Sequence, residues 1–267
     1  MTGPRSRSFL AALTLWWAGV LLAGPACCLG FAQADDLSLL LDRIAERSET
    51  RPELKDWRAN AVSVATEMDK NWKPKKTTRV RKSVEVTESR RIEKVIEALQ
   101  TEKGLSKDIT EEYIRKARER GGAKNKPEDN KSQTGDDKKG MRRSLSLEEL
   151  LPFGEKARRD FTFTRLPDEI IEGRTVYVLE SKANVKDEKF WEGRYFISPE
   201  SYDVIKISLT LSKNPKFVKE FSTEMDFQVL PDGHFFIKKT WMKVDAGMVI
   251  KHIRMVVEEE YSDIEVF

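Results

Sequence analysis

Cysteine and histidine are scarce in this sequence, which has two of each. Cys27 and Cys28 both lie in a segment that we expect to be removed, so the remaining chain would have no disulfide, thiol nucleophile or thiolate metal site. Neither His234 nor His252 has a partner at metal-ligand spacing, and HExxH, GxSxG and glycine-rich phosphate-loop motifs are absent. The sequence therefore predicts a protein that is not an enzyme and that needs no metal or cofactor.

Long apolar runs are also rare, and the single one is Phe9–Ala23. It has about the length of the apolar region of a signal peptide and is short for a membrane span. Arg5 and Arg7 precede it, and the small-x-small pattern of Ala32–Ala34 follows it. We expect residues 1–34 to be a signal peptide that is cleaved after Ala34. The mature protein would then be soluble, would not span a membrane and would work in the periplasm.

Two other interpretations of the N-terminus stay open. One is an uncleaved membrane anchor. The other is a lipoprotein acylated at Cys27, although the preceding Gly24-Pro25-Ala26 matches poorly the Leu-small-small pattern that such cleavage requires.

An excess of charge of one sign is missing as well. Removal of residues 1–34 takes two of the 48 basic residues, Arg5 and Arg7, and none of the 45 acidic ones. The mature chain is therefore close to neutral, and its composition gives no reason to expect a nucleic-acid partner.

The first part of the mature chain, residues 35–88, has the pattern of a helix and two strands. Apolar residues at helical spacing predict an amphipathic helix on Leu37–Arg47. Arg58–Met68 and Thr77–Thr87 alternate as strands do, and Trp72–Lys76 between them is typical of a turn. These segments predict the first helix and first antiparallel strands of a larger domain.

Residues 89–143 are highly charged and read as an insert in that domain. Arg90–Leu99 and Asp108–Arg120 are predicted to be helices, the second with Asp108 as its N-cap. Residues 121–143 have almost no residue to bury and are predicted to be a disordered linker. The insert 89–143 is a solvated segment on one interpretation and a contact surface for an envelope protein partner on the other.

Residues 144–267 complete the same domain. Ser146 and Glu149 form a capping box for a short helix over Ser144–Lys156. Short turns separate seven predicted strands: Phe161–Leu166, Thr175–Ala183, Phe190–Ser198, Asp203–Lys213, Phe217–Leu230, Phe235–Val244 and Val249–Tyr261. Sequential strands with short connections form an antiparallel meander. The expected fold is α+β and mainly β, a meander curled into a barrel or half-barrel around a helix.

Two turns predict the register of the last strands. A three-residue hairpin at Pro231–Gly233 pairs 230 with 234, and the same geometry at Asp245–Gly247 pairs 244 with 248. One surface then collects an apolar set with lysines among it. The apolar set is Ile205, Ile207, Leu209, Phe221, Met225, Phe227, Ile237, Trp241, Ile253 and Met255, and the lysines are Lys239, Lys243 and Lys251.

This surface has two interpretations. It is a packed core whose lysines extend to solvent, or a cavity for acyl chains whose lysines bind phosphate or carboxylate headgroups. Methionine and aromatic side chains suit a cavity that accepts variable shapes.

The order of elements resembles the LolA/LolB-like family of outer-membrane lipoprotein-sorting proteins. Three segments carry the resemblance: Val176–Glu180, Trp191–Lys206 and Met225–Gly233. The resemblance implies an unclosed antiparallel barrel that is capped by helices and holds lipid or lipoprotein acyl chains. It thus implies an exported carrier in lipoprotein sorting. The alternative is a non-catalytic sensor or interaction protein similar to the periplasmic stress regulator RseB.

Overall fold

The computed structural model describes residues 29–52, 54–87, 90–122, 147–248 and 251–267. Four helices are present in these ranges: α1 Leu29–Glu49, α2 Thr110–Gly122, α3 Leu147–Leu150 and α4 Glu155–Arg158. Eleven strands accompany them: β1 Trp57–Met68, β2 Pro74–Thr87, β3 Arg90–Glu102, β4 Leu105–Asp108, β5 Phe161–Ile171, β6 Arg174–Ala183, β7 Trp191–Ile197, β8 Val204–Leu211, β9 Val218–Val229, β10 Phe235–Met248 and β11 Lys251–Val266.

The expected signal peptide lies mostly outside the described residues, which begin at Leu29. Cleavage after Ala34 stays a prediction, and it would leave residues 35–49 of α1, which include the predicted helix Leu37–Arg47. In the ranges that the structure covers, no helix is both long and apolar enough to cross a bilayer.

All eleven strands belong to one antiparallel sheet in the order β4-β3-β2-β1-β11-β10-β9-β8-β7-β6-β5. The chain folds as two meanders, β1–β4 and β5–β11, which join where β1 pairs with β11. Because β4 and β5 remain edges, the sheet is unclosed and is not a barrel. The predicted fold class, mainly β with an unclosed antiparallel sheet and few helices, is confirmed.

The predicted helix over Arg90–Leu99 is wrong, because Arg90–Glu102 is strand β3, paired along its length with β2. Ile92, Val95, Ile96 and Leu99 follow helical spacing in the sequence. A β-bulge opposite Arg81–Lys82 interrupts the strand alternation and produces that spacing. Pairing in the sheet therefore overrides a local helical pattern.

The second predicted helix of the insert is confirmed as α2. The Asp108 carboxylate accepts hydrogen bonds from the backbone N–H of Thr110 at 2.8 Å and from its hydroxyl at 2.7 Å, as expected of a cap. Strand β4, which precedes α2, was not predicted. The predicted linker 121–143 lies outside the described residues from 123 onward.

Helix α1 packs on one face of the sheet, which we call the inner face. Leu40, Leu41, Ile44 and Ala45 are its buried contribution, and Ile44 is fully inaccessible. They pack with strand residues from β6 to β10: Leu179, Trp191, Tyr195, Ile197, Val204, Ile207, Leu209, Met225, Phe227 and Phe235. Among the described residues, β1, β2, β3 and β11 contribute nothing to this cluster. The helix therefore covers only the β6–β10 half of the inner face.

The predicted helix over Ser144–Lys156 is two short helices, α3 and α4, with Phe153 buried between them. Residues 144–146 lie outside the described ranges, so the Ser146 cap is untested. Phe153 is fully buried and contacts the ring of Tyr195 edge to face at a centroid distance of 4.9 Å. This contact fixes the α3–α4 segment to β7.

The first predicted hairpin is confirmed. Leu230 N–H donates to the His234 carbonyl at 2.8 Å, and Phe227 pairs with Ile237 as expected. Lys238 then forms a β-bulge, so that Asp226 faces Lys239 and Met225 faces Thr240. From this point the predicted facing of β10 is wrong, because one extra residue exchanges the two faces of a strand.

The second predicted hairpin is wrong. Asp245–Gly247 does not turn but continues strand β10, and Met248 pairs with Lys251. Asp245 is held in the strand by a cross-strand pair with Arg254, whose Nε donates to it at 3.1 Å. The β10–β11 register therefore differs from the predicted one by an odd number of residues.

We expect Phe153→Ala to lower the free energy of unfolding by about 3–5 kcal/mol, because it removes a fully buried ring and leaves a cavity. Denaturant unfolding followed by tryptophan fluorescence measures the change. Ile170→Ala is the control, since Ile170 is 75% exposed and its truncation should cost less than about 0.5 kcal/mol. Equal effects of the two substitutions would contradict the described packing of α3–α4.

Candidate functional site

A cavity of about 1240 Å³ lies beside the C-terminal end of α1, against the sheet. Its walls are the C-terminal end of α1 with the following loop, the α3–α4 segment, and strands β1, β3, β10 and β11. The larger apolar side chains of the lining are Leu54, Trp57, Leu147, Leu151, Phe235, Phe236 and Ile237. The cationic and phenolic side chains are Arg51, Arg91, Lys156, Arg159 and Tyr261.

Three aromatic rings form the sheet-side wall. Trp57 contacts the Phe236 ring edge to face at 5.0 Å between centroids, and Tyr261 lies 6.0 Å from Trp57 and 5.5 Å from Phe236. Trp57 is the first residue of β1, and Tyr261 lies in its partner strand β11. The wall is thus built where the two meanders of the sheet join.

An ion pair fixes the end of α1 against this cavity. Asp203, at the entry to β8, accepts hydrogen bonds from Arg51 Nη2 at 2.6 Å and Arg47 Nε at 2.9 Å. The Arg51 side chain is only 7% exposed, and its guanidinium lies 3.9 Å from the centre of the Phe235 ring. Arg51 therefore closes one end of the cavity and is held there by a carboxylate and a ring.

Burial and hydrogen bonding act on this pair in opposite directions. Burial lowers the pKa of Arg51 from its usual value, although Asp203 raises it in part. Burial by itself would raise the pKa of Asp203, but hydrogen bonds from Arg47, Ser201 and Arg51 outweigh it and lower the pKa. The ionised form of Asp203 is therefore favoured in the folded protein.

A second polar network lies on the inner face at the β2–β3 side. Lys82 Nζ lies 3.1 Å from Glu93 Oε2 and 3.0 Å from Glu259 Oε2. Arg91 Nε donates to Glu93 Oε1 at 2.8 Å, and Arg91 Nη2 donates to the Tyr261 hydroxyl at 3.0 Å. Tyr261 in turn donates to Glu259. The network therefore joins β2, β3 and β11 through hydrogen-bonded charges.

Each charge in this network stabilises the others. Burial by itself would lower the pKa of Lys82, but Glu259 and Glu93 raise it above its usual value. Burial and the neighbouring Glu259 raise the pKa of Tyr261. Lys82 is thus protonated and the Tyr261 hydroxyl is neutral, so the hydroxyl can act as donor and acceptor at once.

Neither His234 nor His252 lines the cavity. No group of three metal-ligating side chains occurs in the described ranges. His252 Nε2 does lie 2.5 Å from Asp245 Oδ1, but this pair is on the outer face with Arg254. The lining also includes the carboxylates of Glu49 and Glu155, and such a mixture of apolar side chains with a few polar groups is common in small-molecule sites.

Eight of the predicted cavity residues lie on the inner face. Ile207, Leu209, Phe221, Met225, Phe227 and Ile237 pack in or against the α1 cluster. Met255 pairs with Val244, which pairs with Phe221, and Ile253 has the same facing as Met255 but is 44% exposed. Only Ile237 among these eight lines the cavity. The predicted surface is therefore mostly core in the described structure.

The other predicted residues do not join them. Ile205 packs in a separate cluster with Val176, Val178 and Phe196, because a bulge between Phe196 and Ile197 changes its facing. The Lys238 bulge places Trp241, Lys239 and Lys243 on the outer face. Lys251 opens β11, and its side chain lies outside the described atoms.

The outer-face lysines are occupied by acidic neighbours. Lys243 Nζ donates to Glu220 Oε1 at 2.7 Å, and Lys239 Nζ lies 3.7 Å from Glu258 Oε2. Trp241 borders a small cleft of about 200 Å³ with Lys239, Lys206, Glu224 and Asp226. The predicted headgroup lysines therefore form part of a surface ion-pair pattern, remote from the inner face.

Sequence reasoning missed the residues that do line the cavity, chiefly Arg51, Trp57, Arg91, Phe236 and Tyr261. Trp57 had a usable signal, because aromatic residues are enriched in strands and Trp57 directly precedes the predicted strand Arg58–Met68. Arg91 had none, since its segment was interpreted as a helix.

Comparison with known proteins gives distant structural similarities only. No family model matches the sequence, and no curated protein matches it. A LolA superfamily protein from Nitrosomonas europaea is similar at 12% identity and a TM-score of 0.36, over 85% of this chain and 93% of its own. A putative outer membrane lipoprotein-sorting protein domain from Vibrio parahaemolyticus is similar at 13% identity and a TM-score of 0.36, over 85% of this chain and 91% of its own. A chain of the MucA/MucB complex of Pseudomonas aeruginosa is similar at 9% identity and a TM-score of 0.24, over 86% of this chain and 99% of its own.

These structures include members of the superfamily that the sequence motifs resemble. Since the TM-scores are below 0.5, the assignment of a site rests on the residues of this chain.

We expect Asp203→Asn to lower the free energy of unfolding at pH 7 by about 3 kcal/mol, because it leaves Arg51 buried without a counter-charge. The pKa of Asp203 is lowered on folding, so its contribution is complete above the usual carboxyl pKa of about 3.9 and is lost as pH falls through the folded value. The difference between the two proteins should therefore shrink from pH 7 to pH 3 in urea unfolding.

Asp42→Asn is the control for this pH series. Asp42 is also paired, with Arg158 at 2.7 Å, but its side chain is 58% exposed. Such a surface pair contributes about 0–1 kcal/mol. A loss in Asp203→Asn that stays constant from pH 7 to pH 3 would contradict the ion pair between Asp203 and Arg51 as its cause.

Proposed function

We propose that this chain is an exported carrier of lipid or lipoprotein acyl chains, which it shelters in the inner-face cavity. The observation that supports this most is the cavity itself. It is partly open to solvent, and its volume of about 1240 Å³ leaves room for more than a compact small molecule. An amphiphile with a long chain is the ligand class that such a volume and an aromatic wall suit.

The energetics of chain burial favour this ligand class. Removing a CH₂ group from water stabilises a complex by about 0.8 kcal/mol, so a long chain compensates for the entropy lost on binding. Trp57, Phe236 and Ile237 give the apolar contact that this requires. Binding by burial needs no chemical step, in keeping with the predicted absence of catalysis.

Export and a part in outer-membrane lipoprotein sorting belong to the same proposal. The leader-like pattern of residues 1–34 supports export to the periplasm, and the resemblance to lipoprotein-sorting proteins supports the cargo class. A form anchored through Cys27 remains the alternative if cleavage occurs there.

The second candidate is a non-catalytic sensor or interaction protein. Helix α2 favours it, because nearly all of its described side chains are exposed and its Arg115–Glu119 and Glu112–Lys116 pairs keep it helical without a buried face. The predicted partner surface, the insert 89–143, included residues 90–102, but these form strand β3 of the sheet. Among the described residues, a partner surface would therefore consist of β4 and α2.

The first measurement is lipid extraction and mass spectrometry on the exported protein, purified without detergent. We expect a stoichiometric lipid or lipopeptide, and uptake of a fluorescent fatty acid by the delipidated protein. A protein that is empty and takes up no fatty acid would contradict the carrier and favour the second candidate.

Substitutions at two adjacent residues test on which face of the sheet the acyl chain of the ligand lies. Thr240 lines the cavity, whereas Trp241 is on the outer face. We expect Thr240→Trp to weaken fatty-acid binding roughly tenfold, equivalent to about two CH₂ groups that can no longer be buried. Fluorescence titration of both variants measures this.

Trp241→Ala is the matched control and should bind as the unchanged protein does. Circular dichroism and thermal unfolding confirm that both variants are folded. Weaker binding in Trp241→Ala with normal binding in Thr240→Trp would place the ligand on the opposite face and refute the cavity as the site.

A further inference from the structure

The Arg91 guanidinium, which lines the cavity, is held by its neighbours through Nε and Nη2. Arg91 Nε donates to Glu93 Oε1 at 2.8 Å, and Nη2 lies 2.8 Å from the same oxygen and donates to the Tyr261 hydroxyl at 3.0 Å. Within the described part of the chain, Nη1 has no acceptor. The Arg91 side chain is 44% exposed, and both Arg91 and Tyr261 line the cavity. The guanidinium is therefore oriented before any ligand arrives.

The neighbours of Arg91 share their charge with a second cation. Lys82 contacts both Glu93 and Glu259, so neither carboxylate belongs to Arg91 alone. The Lys82 side chain is 10% exposed, which leaves Arg91 as the member of the pair that an incoming group can reach. Two cations and two carboxylates make the network neutral, so an anion would be bound through directed hydrogen bonds and not through net charge.

The other cations of the wall are less suited to this task. Arg51 is occupied by Asp203 and Phe235, and Arg159 pairs with Glu155 at 2.7 Å on the exposed side of α4. Lys156 is exposed and has no fixed orientation from an ion pair in the described structure. Arg91 instead keeps the two N–H donors of Nη1, which can donate to carboxylate or phosphate oxygens.

We propose that Arg91 binds the anionic group, a carboxylate or a phosphate, of the amphiphile whose chain occupies the cavity. This inference rests on the proposed function and adds the polarity of the ligand. The anionic group lies at the β3–β11 wall beside Tyr261, and the chain extends along Trp57, Phe236 and Ile237 toward α3. Neutral lipids of equal chain length lack the group that Arg91 recognises.

The test compares a long-chain fatty acid with the fatty alcohol of the same length, by competition with a fluorescent fatty acid at pH 8. We expect the delipidated protein to bind the acid roughly tenfold more tightly than the alcohol, as hydrogen bonds to charged groups typically provide. In Arg91→Gln this preference should fall to about one, while affinity for the alcohol stays unchanged. Arg91→Lys should restore part of the preference, because it keeps the charge but not the fixed orientation of the Nη1 donors.

Arg81→Gln is the matched control, since Arg81 is on the outer face of β2 in a surface pair with Glu97 at 3.6 Å. It should keep the full preference for the acid. Equal affinity for acid and alcohol in the unchanged protein, or an equal loss for both ligands in Arg91→Gln, would overturn the assignment of Arg91. Failure to bind either ligand would instead refute the proposed function, so the two failures are distinguishable.

Competition with inorganic phosphate shows whether Arg91 binds the headgroup of an amphiphile or a free anion. We expect no displacement of the probe by phosphate at millimolar concentration, because an anion without a chain gains no apolar burial. Displacement by phosphate as effective as that by the fatty acid, and lost in Arg91→Gln, would overturn the headgroup assignment in favour of a free-phosphate site.

Discussion

The architecture depends on how little of the sheet one helix can cover. Eleven strands at about 4.8 Å spacing extend over roughly 50 Å, whereas a helix with its side chains is only about 10 Å wide. Helix α1 and the short α3–α4 segment bury the β6–β10 half of the inner face around Ile44 and Phe153. Strands β1, β2, β3 and β11 add nothing to this cluster, and Trp57, Arg91 and Tyr261 on three of them line the cavity together with residues of β10.

Polar contacts at the margins of the cavity keep this division in place. Asp203 holds Arg47 and Arg51 at the end of α1, so the helix ends where the cavity begins. Across the cavity, Lys82 and its carboxylate partners join β2, β3 and β11 through charges that neutralise each other. The inner face therefore changes from an apolar core to a hydrogen-bonded ionic network within one sheet. A ligand with a chain and an anionic group matches both surfaces.

Sequence patterns predicted the fold better than the site. Alternation in β1, β2 and β5–β11 reports strands directly, since each strand has one buried face. The same logic failed at β3, where Arg91 and Glu93 occupy inner-face positions and the bulge leaves Ile92, Val95, Ile96 and Leu99 at helical spacing. It failed again at Lys238, because a bulge of one residue leaves no mark in composition but moves Trp241 to the outer face. Ile253 and Met255 lie on the inner face as predicted although the second turn was wrong, because the odd shift in the β10–β11 register cancels the change of facing at the Lys238 bulge.

The central claim is that the cavity lined by Trp57, Phe236 and Tyr261 binds the acyl chain of the ligand. Photoaffinity labelling with a diazirine fatty acid, followed by peptide mass spectrometry of the full exported protein, tests it most directly. The account predicts labelled peptides from the start of β1, the start of β10 and the end of β11, which include Trp57, Phe236 and Tyr261. Labelling confined to β6–β8 under α1, or to the outer face around Trp241, would contradict it.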